Sequence, residues 1–171
     1  MIFSLVEKKI DVKNMNVTFR YNVKVEDIFR VREIVESTNF FYDIEIPIAV
    51  ELVSSAASGY NVYKFIFAEI DGEVVAYSCY GKIDGTVGGY DLYWIVTHND
   101  YRGSGIGKQL IEETHYQVKK DGGRYIIAET SALDMYLPTR NFYEKVGYVN
   151  EASIRDFYRE DDDKIFYVKR L

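Results

Sequence analysis

Cysteine is almost absent from this 171-residue chain: Cys79 stands alone. That excludes a disulfide framework and fits a reducing, cytoplasmic setting. Proline occurs only twice while apolar residues make up 47% of the chain, which argues against disorder. No stretch approaches the roughly 18 consecutive apolar residues of a membrane span. The first nine residues carry their charges after a short apolar run, the reverse of a signal peptide. Positive charge is also in deficit. A net charge of −6 with no concentrated basic face is unsuited to general nucleic-acid binding. An acidic surface suits a cationic amine, although solubility alone also accounts for it. No metal-ligand cluster is visible; the acidic run 160–163 lacks the alternating ligands of a calcium loop and reads as a solvated turn.

What is present is periodicity, without repeats or linkers, so the length suits one domain with a core of its own. Residues 1–14 read as a peripheral extension, and 15–171 as the domain. Alternation predicts a strand over 15–21, and helical spacing of Ile28, Val31, Ile34 and Val35 predicts a helix over 25–38. The aromatic loop Phe40-Phe41-Tyr42 follows. A second helix starts near Pro47, with Ile48, Leu52 and Ala56 on its apolar face and Gly59 at its end. Strands are predicted at 64–70 and 73–83, joined by an Asp71-Gly72 hairpin turn, and at 90–96. A long amphipathic helix ends at Lys120, before Gly122-Gly123. A strand at 125–130, a short helix at 138–146 and a strand pair at 148–157 and 165–171 complete the order. The pattern β-α-α-β-β-β-α-β-α-β-β implies an α/β (α+β) fold whose mixed sheet has helices on both faces.

The most informative segment is Arg102-Gly103-Ser104-Gly105-Ile106-Gly107-Lys108, between a strand and the long helix. Three glycines in five residues permit positive φ and leave backbone N–H groups uncovered. A helix N-terminus adds unpaired donors and positive dipole, together an anion cradle. It is not a dinucleotide fingerprint, because Lys108 stands where the third glycine belongs, nor a P-loop, because Gln109 follows that lysine.

The pattern R-x-x-G-x-G, met by Arg102, Gly105 and Gly107, resembles the pyrophosphate signature of the GCN5-related N-acetyltransferase (GNAT) superfamily. Phe142-Tyr143-Glu144-Lys145-Val146-Gly147-Tyr148 resembles its F-Y-E-x-x-G-F/Y helix. The order of elements over 15–171 is similar as well. The resemblance implies a GNAT fold, a mostly antiparallel twisted sheet flanked by about four helices, and acetyl-CoA as cosubstrate without a metal. It implies that the loop 102–108 holds the pyrophosphate. It also implies that the family's bulged segment falls on Ile95, Val96 and Thr97, whose main chain runs beside the pantetheine arm, Val96 supplying the oxyanion N–H. Tyr143 would protonate the departing thiolate, with Thr139 on its helical face. Phe142 and Val146 would face the core. Where the family often places a coenzyme A-binding Asn, this chain has Tyr136.

The base stays open. Asp91 stands where some members carry a Glu, and Glu129 near the end of the next strand is a second candidate. His98 reads as ordering the loop and His115 as packing, and an amine entering a dry pocket needs no side-chain base at all. Arg140 is expected to pair with Glu144 or with a substrate carboxylate. The expected partner is a small-molecule amine, with neither nucleic acid nor membrane involved and a homodimer as one arrangement. A non-catalytic coenzyme A-binding module and a protein or peptide N-acetyltransferase are the alternatives.

Overall fold

The computed structural model describes residues 16–60 and 62–171; the expected extension, 1–14, lies outside them. Alternation produces a short first strand, β1 (Val17–Arg20), and two helices follow, α1 (Asp27–Ser37) and α2 (Glu45–Ala57). Val31, Ile34 and Val35 bury one face of α1, as their spacing requires. In α2 the buried pair is Ala49 and Val53, one residue round from the expected stripe, and Ile48 is left 47% exposed. The small Ala49 lets α2 approach its neighbours more closely than a branched Ile would.

β2 (Lys64–Ile70) and β3 (Glu73–Lys82) form a hairpin whose two turn residues, Asp71 and Gly72, both have positive φ, 51° and 82°. That is the primed turn the Asp-Gly pair favours. β4 (Gly89–Thr97), α3 (Ile106–Lys120), β5 (Tyr125–Ser131), α4 (Leu137–Lys145), β6 (Val149–Arg159) and β7 (Asp162–Arg170) complete the chain. The strands make one seven-stranded sheet in the order β1-β2-β3-β4-β5-β7-β6. Every neighbouring pair is antiparallel except β4 and β5.

Two irregularities in the sheet position the site. On β4, Trp94 pairs with Cys79 but Leu92 pairs with Tyr80, so Tyr93 is an extra residue, a β-bulge. β4 and β5 run side by side only from Gly89 to Leu92 against Tyr125 to Ala128. Beyond Leu92 and Ala128 they diverge and leave a fork.

Each face of the sheet has its own core. Ile106, Leu110, Ile111 and Val118 of α3 pack with Ile66, Tyr90, Leu92 and Ile126 on one side. On the other side α1 and α2 cover Phe65, Phe67, Tyr77 and Val96. The mixed sheet with helices on both faces is therefore the one the order of elements implied.

Two local expectations need correction. The acidic run 160–163 is not all solvated turn: Asp162 opens β7, is 4% exposed and accepts from Ser131 Oγ. On α4 the buried residue is Tyr143, whereas Phe142 and Val146 are partly buried. The helix lies over Tyr148 and Tyr167, whose rings lie 5.2 and 5.7 Å from that of Tyr143, so the tyrosine turns inward.

Candidate active site

Gly105 occupies the cap position of α3 at φ 89°, and Gly103 precedes it at φ 77°. A Cβ on either would meet nothing within 4 Å, so the backbone angle requires glycine here, not crowding. No side chain caps α3 and no acid lies in its first turn. The helical ladder begins with Gln109 N–H donating to Gly105 O at 3.1 Å. The amides of Ile106, Gly107 and Lys108 come before it and have no acceptor within the helix. Dipole and donors together favour an anion there. Short bonds hold the approach: Asp100 N–H donates to His98 Nδ1 at 3.3 Å, and Ser104 Oγ donates to Tyr101 O. A Cβ on Gly107 would stand 3.5 Å from Thr97 Oγ1 and 3.9 Å from the Phe142 ring. The glycine loop, the end of β4 and α4 thus meet at one point.

The free side of β4 follows from the ladder. His98 N–H donates to Val75 O at 2.9 Å, and hydrogen-bonded pairs alternate along an antiparallel ladder. Val96 and Trp94, opposite Tyr77 and Cys79, therefore turn their main-chain groups toward β3. Ile95 and Thr97 turn theirs toward the fork. The Val96 N–H, expected to hold the oxyanion, is therefore turned toward β3 and away from the fork. Ladder phase depends on the partner strand, and nothing in the side chains of β4 reveals it.

Tyr143 is 6% exposed. Burial pushes its phenol well above the usual value of 10, so it is neutral at physiological pH. Among the described residues its hydroxyl has no hydrogen-bond partner. Half-buried Thr139 lies one turn earlier on α4.

Asp91 and Glu129 flank the fork. Asp91 sits opposite Ile127, one position before the last paired residues, and Glu129 one position beyond them. Tyr90, Leu92, Ile126 and Ala128 belong to the α3-side core, so alternation turns Asp91 and Glu129 to the α1–α2 face. Burial raises the Asp91 carboxyl above the ordinary carboxylate range, the charge of Glu129 adds to this, and Lys164 opposes it. Glu129 itself is paired with Lys164.

Of the two histidines, only His115 lies away from the site. His115 meets the Tyr148 hydroxyl at 3.0 Å, and burial, helped by Lys169, lowers it to about 4, a neutral packing residue. Arg140 does not pair with Glu144. It donates to Ser131 O and Leu133 O at 2.9 and 2.8 Å, satisfying carbonyls where β5 ends, while Glu144 accepts from the Tyr167 hydroxyl at 3.0 Å.

The aromatic loop crosses the α1–α2 face. Phe41 packs on Trp94 at 4.8 Å, Phe40 on Tyr136 at 4.6 Å, and the Tyr42 hydroxyl accepts from Arg159 at 3.3 Å. Tyr136 therefore turns its ring to this loop and not to the glycine loop. Burial, then Glu45, raises its phenol to about 12. Grooves of about 260 and 550 Å³ lie elsewhere, beside Asp84 and Tyr21, and none of the groups around the fork lines them. Among the described residues no helix is long and apolar enough to cross a membrane, and no three acidic, His or Cys side chains are grouped to hold a metal.

Residues 61–150 match the family model described as an acetyltransferase (GNAT) domain. The chain belongs to the GNAT acetyltransferase family. A GNAT-family protein from Desulfovibrio desulfuricans is 42% identical and superposes with a TM-score of 0.88, over 91% of this chain and 99% of that one. An N-acetyltransferase of Methanocaldococcus jannaschii, itself uncharacterized, is 29% identical over 107 residues. That match spans 62% of this GNAT chain and 65% of the relative's length. At 17% identity the fold alone is shared with two further structures. One is an aminoglycoside 6'-N-acetyltransferase complexed with coenzyme A, with a TM-score of 0.71 over 91% of this chain and 97% of that one. The other is the ribosomal-protein alanine N-acetyltransferase of Escherichia coli, at 0.70 over 91% and 94%. The GNAT motif residues on the loop and α4 were legible in sequence. The bulge that the resemblance put at 95–97 lies instead at Tyr93, and neither that position nor the Lys164–Glu129 pair is marked by a local signal.

Proposed function

We propose that this protein transfers an acetyl group from acetyl-CoA to the primary amine of a small molecule, by direct attack and in the cytoplasm. The observation that carries this reading is the continuity of an uncapped helix N-terminus with a strand edge left unpaired by a fork. An extended pantetheine arm can add to such an edge as a strand does. In this reading Arg102 and the amides of 103–108 hold the pyrophosphate. Ile95 and Thr97 offer main-chain groups to the arm, one N–H polarising the thioester carbonyl and then holding the oxyanion.

α3 and α4 fill one face, so the amine approaches from the α1–α2 face. There Asp91 takes its proton through water. Tyr143, neutral and above the ordinary phenol range, gives a proton to the thiolate. The contacts of the aromatic loop with Tyr136 and Arg159 narrow this face and favour a small acceptor over a peptide.

A panel of primary amines, assayed for thiol release from acetyl-CoA, tests the reading. Amine-dependent release is expected; coenzyme A binding with no release by any amine would indicate a non-catalytic module.

Asp91 adds a prediction with two signs. Its folded-state pKa lies above the unfolded value, so its ionisation costs stability as pH rises through the folded value, and the penalty is absent at lower pH. Asp91→Asn should therefore raise Tm at neutral pH. It should also lower kcat/KM by about tenfold and remove the acidic limb of the rate profile. A lowered Tm, or an unchanged acidic limb, would remove Asp91 from the base's role.

A further inference from the structure

Lys164 is the charged group this chemistry leaves unexplained. Its side chain is 13% exposed. The ammonium lies on the Glu129 carboxylate and 3.9 Å from the centroid of the Phe157 ring, with Phe166 and Tyr158 at 5.6 and 5.7 Å. An enclosed ammonium is costly unless paired, and here a carboxylate and aromatic faces compensate it. The placement is set by the sheet. Lys164 opposes Ser131 on β5, two residues beyond Glu129, so it reaches back along the face on which Asp91 and Glu129 stand.

Other charges near this cluster are already engaged. Asp162 accepts from Ser131 Oγ and lies 3.7 Å from Arg159, and Glu45 accepts from Tyr42 N–H at 2.8 Å. Of the two carboxylates at the fork, Glu129 is neutralised and Asp91 is not.

We propose that Lys164 is a specificity-determining residue that sets the charge of the acceptor. By occupying Glu129 it leaves a single negative charge, that of Asp91, facing the amine. The site then takes a compound with one ammonium and disfavours one whose second ammonium would have to displace Lys164. This rests on the transferase reading for the location of the acceptor face.

Trp94, the one tryptophan of the chain, packs on Phe41 beside that face and reports binding through its fluorescence. With coenzyme A present, butylamine and diaminobutane are titrated against the wild type and three variants. Lys164→Met should shift the affinity ratio about tenfold toward diaminobutane, and Lys164→Arg should keep the wild-type ratio. Lys164→Met combined with Glu129→Gln restores the charge balance and should return the ratio to that of the wild type.

A ratio in folded Lys164→Met within about twofold of wild type would overturn the proposal. So would a Trp94 emission that neither amine changes in any variant. If Lys164→Met does not fold, Glu129→Gln alone decides: the unneutralised ammonium should weaken both amines by about tenfold, and unchanged affinity refutes the idea. Lys164-dependent amine binding without any thiol release would instead remove the transferase reading and leave this one standing.

Discussion

Tyr143→Phe is expected to lower kcat at least about tenfold while the KM for acetyl-CoA stays within about twofold. The substitution removes one oxygen and keeps the ring that packs on Tyr148 and Tyr167. Since the hydroxyl has no protein partner among the described residues, its loss leaves no orphaned group behind. Tm should hold or rise slightly. Stability and rate thus move independently, which a merely structural tyrosine would not allow. The phenol's raised pKa also means that its proton is not lost at physiological pH, so no alkaline limb below pH 10 should trace to it. Steady-state kinetics at saturating donor and acceptor, with Tm measured alongside, decide the matter. Unchanged turnover would leave Tyr143 a core residue only.

The second large effect lies at Gly105. A Cβ there meets nothing within 4 Å, so the cost of valine falls chiefly on a backbone held at φ 89°. A β-branched residue is a severe outlier in that region, at about 1–3 kcal/mol. To relieve the strain the loop must rotate, and the amides at the start of α3 then no longer converge. Each hydrogen bond to a charged phosphate contributes about 1.5–3 kcal/mol. Losing even one should weaken coenzyme A binding at least about tenfold, measured by calorimetry, while α3 keeps its buried face. Gly107→Ala is the contrast: its φ is ordinary and the added Cβ finds only van der Waals neighbours. It should fold normally. Wild-type affinity in Gly105→Val would show that the loop does not hold the donor.

Much of this was legible before any coordinates. The Asp71-Gly72 hairpin, the face of α1, the glycine loop and the Phe142-Tyr143 helix all appear where local chemistry puts them. Each depends on interactions within a few residues, a turn angle, a 3.6-residue period or a cap, and such signals are written in neighbouring side chains. The partner of Arg140 and the burial of Tyr143 were misread for the opposite reason. An i,i+4 ion pair is a weak local preference, and two backbone carbonyls, one at the end of β5 and one just beyond it, outcompete it. The inward face of α4 is chosen by Tyr148 and Tyr167, which are brought to it by β7 and the turn before β6.

By itself, then, the amino-acid order determined the elements, their succession and the glycine turn before α3, because short-range sterics and hydrogen bonding suffice for those. Tertiary structure alone decided which amides of β4 face the fork, that Asp91 and Glu129 share one face of it, and that Lys164 neutralises one of them. Those outcomes depend on strand register and on where β4 and β5 part. Both are settled by packing between residues distant in the chain, so no window of sequence contains them.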